Sequence, residues 1–291
     1  MNDIFHHRRE PFLAGPLEKY ILNHNLFSEA IVCLLSYKLS GDIDQMSWLK
    51  QMEGFIDLPY EEDGCSVAAT CLQDLQCIQQ RDPACESLTH AFLNFKGFKA
   101  LASHRLAHVL WRAGRKEVAS AIQSRCSELF GVDIHPAARI GPGLMIDHAT
   151  GVVIGETATV GANCSFLHGV TLGGVGSQAK GPRHPQIGNG VLIGCNASVL
   201  GNITVGDNAK IGAGSIVLKP VLANTTAVGN PAKMVGKNTG AISAAVSMDT
   251  ALHEVITAEG RLYEKTWCAC YVGSTAFDGR NLSILVFILF I

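Results

Sequence analysis

The sequence predicts an α+β protein: an N-terminal α-helical domain, then a parallel β-helix of hexapeptide repeats, then an irregular C-terminal tail. Apolar residues recur at helical spacing as far as about residue 130, and from Val132 onward they recur every six residues. Glycine is abundant, at 30 residues, and aromatic residues are scarce, at 7%. This composition is typical of tight turns around a core of small aliphatic side chains. We therefore expect domains at 1–130, 131–237 and 238–291.

The N-terminal region contains several stretches with helical periodicity. The segment "SEAIVCLLSYKLS" places four apolar residues on one stripe, namely Ala30, Ile31, Leu34 and Leu35. A later helix is expected to end before Pro83, and "FKALASHRLAHVLWRAGRKEVASAIQSRCSELFG" predicts two helices separated at Gly114. His104 and His108 are four residues apart in the first of these. We expect them to pack against a helix or a partner; the alternative, a zinc pair, lacks a third ligand nearby.

From Val132 the period changes to six, which fits neither an α-helix nor a flat alternating strand. It fits a parallel β-helix, in which each hexapeptide forms one short strand and one turn, and three hexapeptides form one triangular coil. The aliphatic residue of each repeat then points into the triangular prism that the stacked coils form. After the fourth repeat, the spacing to the next aliphatic residue is two residues longer than in the other repeats. The expected inward residues are Ile134, Ile140, Ile146, Val152, Val160, Phe166, Leu172, Ile187, Ile193, Val199, Val205, Ile211 and Val217.

One segment, "GGVGSQAKGPRHPQ" at residues 173–186, breaks this register. It contains several glycines together with Lys180, Arg183 and His184. We interpret it as a loop that leaves an edge of the prism. Polar loops on a rigid scaffold are where binding and catalytic residues concentrate.

The bulk composition argues against several classes of function. Net charge is −2 and charged residues make up 16% of the chain, so there is no basic surplus and no nucleic-acid partner is expected. The N-terminal stretch has no apolar signal segment, and the C-terminal apolar run in "SILVFILFI" is too short to span a bilayer. The ten cysteines form no CxxC pair. We expect free thiols and a cytoplasmic protein, with an organellar form left open.

Several longer motifs resemble the serine O-acetyltransferases, the hexapeptide-repeat acyltransferases of cysteine biosynthesis. They are "IQQRDPAC", "FKGFKALASHRLAH", "VDIHPAARIGPGLMIDHATGVVIGETA", "LHGVTLGG", "RHPQIGNGVLIG" and "IGAGSIVLKPV". The resemblance implies that the β-helix is left-handed. It also implies that the chain transfers acetyl from acetyl-CoA to the hydroxyl of L-serine, giving O-acetyl-L-serine and CoA without a metal.

The resemblance further assigns roles to individual residues. The general base is His148, and the acid that orients it is Asp133. The residues expected to bind serine are Asp82, Asp147, Arg183 and His184. The residues expected to contact CoA are Gly174, Ala213 and Lys233.

These residue types suit the chemistry. A serine hydroxyl is a poor nucleophile, and a histidine with a pKa of about 6.5 is suited to take its proton. Two carboxylates suit the serine ammonium group, and Arg183 suits its carboxylate through a bidentate contact. His184 could donate to the carboxylate or to the oxyanion of the intermediate. The alternative for Asp82 is a helix N-cap before Pro83.

Other interpretations stay open at this point. His135 and His168 are expected to pack near a subunit seam. Other hydroxyl acceptors, a non-catalytic scaffold, and a γ-carbonic-anhydrase-like zinc enzyme are the rival functions. The last of these requires two prism histidines five residues apart, which the sequence does not offer.

The expected partners follow from the same resemblance. They are further copies of the chain in a homotrimer or a dimer of trimers, L-cysteine as a feedback inhibitor, and O-acetylserine sulfhydrylase. The last would bind through a C-terminus ending in Ile291.

Overall fold

The computed structural model describes residues 11–60, 64–176, 181–237 and 243–248. These residues fall in two compact units, and the boundary between the units lies between Thr70 and Cys71, inside a helix. The domain limits expected from the sequence stay a prediction. The expected C-terminal tail lies outside the described residues except at 243–248.

The first unit is helical. Its elements are α1 (Pro11–Leu17), a π-helical turn (Glu18–Leu22), α2 (Phe27–Leu39), α3 (Gln45–Glu53) and the start of α4 (Val67–Arg81). The four apolar residues expected on one stripe lie on α2 and are all buried, which confirms that helix. Asp44 caps α3 because its carboxylate accepts from the Ser47 amide at 3.0 Å.

The second unit begins with helices that precede the β-helix. After the end of α4 come α5 (Leu88–Asn94), α6 (Lys96–Arg112) and α7 (Lys116–Phe130). Gly114 has a positive φ of 79° between α6 and α7, so the predicted break at this glycine is confirmed. His104 and His108 are both buried on α6, and His108 Nδ1 lies 2.8 Å from the Pro136 carbonyl oxygen. The two histidines therefore pack inside the unit.

Three parallel sheets form the faces of the β-helix. Face 1 has the strand order β1-β4-β7-β10-β13, face 2 β11-β8-β5-β2, and face 3 β15-β14-β12-β9-β6-β3, in which only β14 and β15 pair antiparallel. The strands are β1 (Val132–Ile134), β2 (Arg139–Ile140), β3 (Met145–Ile146), β4 (Val152–Ile154), β5 (Thr159–Val160), β6 (Ser165–Phe166), β7 (Thr171–Gly173), β8 (Gln186–Ile187), β9 (Leu192–Ile193), β10 (Ser198–Leu200), β11 (Thr204–Val205), β12 (Lys210–Ile211), β13 (Ile216–Val217), β14 (Thr225–Gly229) and β15 (Ala232–Lys237).

The interior of the prism matches the expected pattern. All the aliphatic residues and the phenylalanine predicted to point inward are at most 4% exposed. The break in register is confirmed as a loop, since β7 ends at Gly173 and β8 begins at Gln186. The described parts of that loop are residues 174–176 and 181–185.

The two-residue slip falls at one corner of the first coil, between Ile146 and Ile154. Its expected position, after Val152, was wrong by one repeat, because Ile154 and not Val152 pairs with Ile134. Ile134 pairs with Ile154, and Ile154 pairs with Leu172, so the first coil is two residues longer than the second. The longer corner is residues 147–151, where His148 and Ala149 adopt positive φ values of 56° and 60°. We call the column of turns that leads from face 3 to face 1 corner 3–1, and the column from face 1 to face 2 corner 1–2.

A buried ion pair joins the helices to the first coil. Arg105 of α6 donates to both carboxylate oxygens of Asp74 on α4, at 2.5 and 2.8 Å, and to the carbonyls of residues 140–141. Asp74 also accepts from the amides of residues 143–144. Both side chains are at most 1% exposed. Because the pair satisfies backbone groups on either side of a turn, it fixes the coil just before β3.

A short helix, α8 (Ala244–Ser247), packs against face 3. Ala244 contacts the apolar cluster of Leu167, Leu192 and Cys195. The cysteines in the described part of the chain are all free thiols, as expected. Within those same residues, no helix is long and apolar enough to cross a membrane.

Candidate active site

Asp147 and His148 lie together on the longer turn of corner 3–1. His148 Nε2 is 3.7 Å from Asp147 Oδ2, and the side chain of His148 is 54% exposed while that of Asp147 is 8% exposed. An accessible imidazole therefore stands beside a buried carboxylate. This combination suits proton transfer to a bound molecule, because the ring is open to a ligand while the acid lies beneath it.

Helix α6 holds this turn from below. A Cβ atom on Gly97, in the first turn of α6, would lie 2.1 Å from the Ile146 carbonyl oxygen. Lys96 also donates to the Thr150 hydroxyl. The glycine therefore allows the start of the helix to reach the backbone directly before Asp147, which fixes the position of the turn.

Asp82 comes directly after α4 and is buried, at 7% exposed. Arg81 anchors this end of the helix, since its guanidinium donates to the carbonyls of Gly143 and Cys164 at 3.1 and 3.0 Å. Asp82 accepts from the Ala84 amide at 2.8 Å. The next helix, α5, is instead capped by Ser87, so Asp82 is not a helix N-cap.

The pKa of Asp147 depends on the charges of His148 and Asp82, so these three residues form one electrostatic group. Burial raises the pKa of the Asp147 carboxyl above its ordinary value; the nearby charge of His148 opposes the rise, and that of Asp82 adds to it. Two buried acids that raise each other's energy form a site that favours a cation. An ammonium group bound between them would relieve their repulsion.

His168 is the residue that stacks directly beyond His148. Ile146 pairs with Phe166, so the two histidines occupy equivalent places on successive coils, with ring centroids 5.8 Å apart in an edge-to-face arrangement. From the sequence, His168 is expected to pack near a subunit seam. The structure adds a contact between His168 and the candidate base, His148. The sequence could have indicated this contact, because the two histidines are separated by the length of the first coil.

A second group lies on corner 1–2. His184 Nδ1 accepts from the Thr157 amide at 3.1 Å, so the ring proton of the neutral form is on Nε2. Burial lowers the pKa of His184, and the Arg183 charge lowers it further. The Arg183 guanidinium lies 3.4 Å from Glu156 and is 40% exposed. The group therefore offers a cation and a neutral N–H donor.

Asp133 lies between the two corners, and its charge acts on His135 of corner 1–2. It lies in the middle of β1 on face 1, where Gln123 Nε2 donates to its Oδ1 at 2.6 Å. The pKa of His135 is lowered chiefly by burial; the charge of Asp133 raises this pKa and the charge of Arg183 lowers it. Among the described residues, no hydrogen bond or ion pair joins Asp133 to His148.

The predicted site residues are thus divided between two corners of the prism. Asp147 and His148 lie at corner 3–1, with Asp82 near Asp147 from the end of α4, whereas Arg183 and His184 lie at corner 1–2. The two corners are separated by the width of face 1, which at β4 is three residues, or about 10 Å.

The residues expected to contact CoA are divided in the same way. Gly174 lies beside corner 1–2, where its Cβ would be 3.5 Å from the His184 Nε2 atom. Ala213 is exposed on corner 3–1, in contact with the turn at Gly194. Lys233 is exposed on β15, opposite Val228. Across the described ranges, no three His, Cys, Asp or Glu side chains are grouped to hold a metal.

Two protein families match the sequence. The family described as "Serine acetyltransferase, N-terminal" matches residues 5–103, and "Bacterial transferase hexapeptide (six repeats)" matches residues 184–219. Serine acetyltransferase 1, chloroplastic, of Arabidopsis thaliana is 52% identical over 229 residues, which are 79% of this chain and 71% of that protein.

Solved structures agree with the sequence comparison. The serine acetyltransferase of Neisseria gonorrhoeae in complex with serine is 46% identical, with a TM-score of 0.75, and the match covers 80% of this chain and 93% of that one. The serine acetyltransferase of Brucella abortus in complex with coenzyme A is 44% identical, with a TM-score of 0.74, covering 79% and 90%. The parallel β-helix predicted from the six-residue period is confirmed, and the chain belongs to the serine acetyltransferase family.

Proposed function

We propose that the protein transfers the acetyl group of acetyl-CoA to the hydroxyl of L-serine, with His148 as the general base. The observation that carries this proposal is the accessible imidazole of His148 beside the buried acids Asp147 and Asp82. The relatives solved with serine and with coenzyme A support both substrates.

The complete site forms between two copies of the chain. In one chain, the base His148 and the acids Asp147 and Asp82 lie at or beside corner 3–1. The groups that suit a carboxylate, Arg183 and His184, lie at corner 1–2, on the opposite edge of face 1. In a ring of copies each interface is heterologous, so one corner of a copy meets the other corner of the next. A trimer would thereby bring Asp133, Arg183 and His184 of one copy to His148 of its neighbour.

In this arrangement each substrate group has a partner. The serine ammonium lies between Asp82 and Asp147, and the serine carboxylate contacts Arg183. His184 donates its Nε2 proton to that carboxylate or to the oxyanion. Asp133 accepts from the far nitrogen of the base, which fixes the ring and stabilises its protonated form.

The reaction then needs no covalent enzyme intermediate. His148 takes the hydroxyl proton as the serine oxygen attacks the thioester carbonyl carbon. The tetrahedral intermediate collapses with cleavage of the C–S bond, and His148 returns the proton to the thiolate of CoA. A base of this kind contributes roughly 10²–10⁴ in rate.

Acetyl-CoA would lie along corner 3–1. Coils stack at intervals of about 4.8 Å, and Ala213 is three coils beyond His148, so the two lie about 14 Å apart along the prism. An extended cofactor reaching from the base past Ala213 ends near Lys233, whose charge suits a phosphate. Gly174 would come from the neighbouring copy.

A thiol-release assay tests the function. We expect CoA release from acetyl-CoA to depend on L-serine, with little release when galactosides replace serine. Release that is equally fast with galactosides would favour the rival with another hydroxyl acceptor. No release with any acceptor would favour a non-catalytic scaffold.

Asp147→Asn is expected to raise the KM for serine by roughly 10–100-fold, because a charged contact to the ammonium is worth about 1.5–3 kcal/mol. Steady-state kinetics with varied serine measure this effect. Asp42→Asn, at an exposed position of the first unit, is the control and should leave KM unchanged. An equal KM for both variants would contradict the role of Asp147.

The same residue gives serine binding a pH dependence. Its pKa is raised, so as the pH falls Asp147 takes up a proton earlier than an exposed aspartate would, and loses its attraction for the ammonium. The KM for serine of the wild type should therefore rise as the pH is lowered from 7. The rise should be smaller for Asp147→Asn, which has no proton to take up at this position.

Gly155→Ala is expected to displace His184, since the added Cβ would lie 2.1 Å from its ring atoms. Loss of one hydrogen bond to the substrate predicts a rise of roughly tenfold in the KM for serine or a comparable fall in kcat. The control is Gly54→Ala, where φ is −72° and a Cβ meets nothing within 4 Å. Kinetics that match those of the control would show that His184 is not needed in its present place.

Further partners follow from the proposed site. L-cysteine carries the same ammonium and carboxylate as serine, so we expect it to compete for this pocket. We expect homotrimers, alone or paired into hexamers. Binding of O-acetylserine sulfhydrylase through Ile291 concerns residues outside those described. We place the activity in the cytoplasm, with an organelle as the second candidate because one relative is named chloroplastic.

A further inference from the structure

Gln123 is a polar residue on the face of α7 that packs toward the β-helix. The buried residues of this helix are Ala119, Ile122, Cys126 and Phe130, and Gln123 follows directly after one of them. Its side chain is half-buried and reaches Asp133 of β1, ten residues later in the chain. The distance from Gln123 Nε2 to Asp133 Oδ1 is 2.6 Å, which is short for a nitrogen donor.

This contact leaves the two oxygens of Asp133 in different situations. Oδ1 is held by Gln123, whereas Oδ2 accepts no hydrogen bond from the residues that the structure describes. Asp133 lies between the buried residues Val132 and Ile134 and is itself half-buried, so its side chain points away from the prism interior. Because one oxygen is held by a fixed helix, the direction of the other is also fixed.

The donor to Asp133 is the amide of Gln123, which carries no charge. A lysine or arginine in the same place would hold the carboxylate but would also offset its charge. The amide of Gln123 fixes the carboxylate and leaves its full negative charge to act on an imidazolium.

We propose that Gln123 is a positioning residue for the reaction, which holds the Asp133 carboxylate so that Oδ2 accepts the N–H of His148 from a neighbouring copy. This inference rests on the proposed function. Gln123 does not touch the substrates; it acts through Asp133. Its loss should therefore lower kcat and leave the KM values for serine and acetyl-CoA unchanged.

The test is a double-mutant cycle on the full-length chain. Gln123→Met keeps the length of the side chain and its helix propensity but removes the donor. We expect it to lower kcat about tenfold, the size of one hydrogen bond, with both KM values within about twofold. In an Asp133→Ala background, the same substitution should change the residual kcat by less than about twofold. Gln73→Met, on a half-buried position of α4, is the matched control and should retain wild-type kinetics.

Three results would overturn the inference. One is an unchanged kcat in Gln123→Met. Another is an equal fold-decrease in kcat on Gln123→Met in the presence and in the absence of Asp133, because a merely structural role gives additive effects. The last is a change confined to KM. Absence of serine-dependent CoA release by the wild type would overturn the proposed function and this inference with it, so the wild-type trace distinguishes the two failures.

Discussion

Replacement of His148 by asparagine is expected to lower kcat for serine acetylation by roughly 10²–10⁴. Asparagine removes the base but tolerates the positive φ of 56° at this position. The side chain is 54% exposed, so its loss should leave the fold intact. The acids proposed to hold the serine ammonium are unchanged, so the KM for serine should change little.

The measurement is the initial rate of CoA release at saturating serine and acetyl-CoA. His24→Asn, on a partly exposed residue of the first unit, serves as the control and should keep the wild-type kcat. Circular dichroism on both variants checks the fold. A fall of less than tenfold in a folded His148→Asn protein would rule out His148 as the base.

The largest expected effect on stability comes from the buried ion pair. Asp74→Ala leaves Arg105 fully buried without its carboxylate and releases the amides of residues 143–144. Breaking a buried pair by removing one partner costs about 3–5 kcal/mol. We therefore expect the free energy of unfolding to fall by about that amount.

Urea unfolding at one fixed protein concentration measures the change, since assembly makes stability depend on concentration. The control is Glu128→Ala, which removes an exposed pair with Arg125 whose side chains are 28% and 58% exposed. Such surface pairs contribute about 0–1 kcal/mol. Equal losses in the two variants would mean that the buried pair does not hold the helices to the first coil.

The sequence was sufficient to predict the β-helix because its period is a direct consequence of its geometry. Each coil repeats one inward aliphatic residue per face, so the pattern from Ile134 to Val217 could be counted without a structure. The predicted break at Gly114 depended on local backbone preference alone. Both features are encoded by residues near each other in the chain.

The arrangement of the site could be predicted only in part. The resemblance assigned roles to Asp133 and His148, but spacing along the chain could not show that Asp133 lies in the middle of face 1 while His148 lies on the turn at corner 3–1. The pair of Asp74 and Arg105 was missed because helical periodicity leads one to expect apolar residues at buried positions. Gln123 was missed for a similar reason: its partner is on another element, and a single helical glutamine carries no signal of its own.

The longer turn at residues 147–151 shows how a regular β-helix can carry an exposed histidine at one corner. The next coil turns the same corner with two fewer residues and keeps its register. The two additional residues at this corner therefore leave the pairing of the neighbouring strands intact, and the imidazole of His148 is exposed on them. Because the extra length is confined to one corner, the scaffold can carry an exposed imidazole there without a change to its three faces.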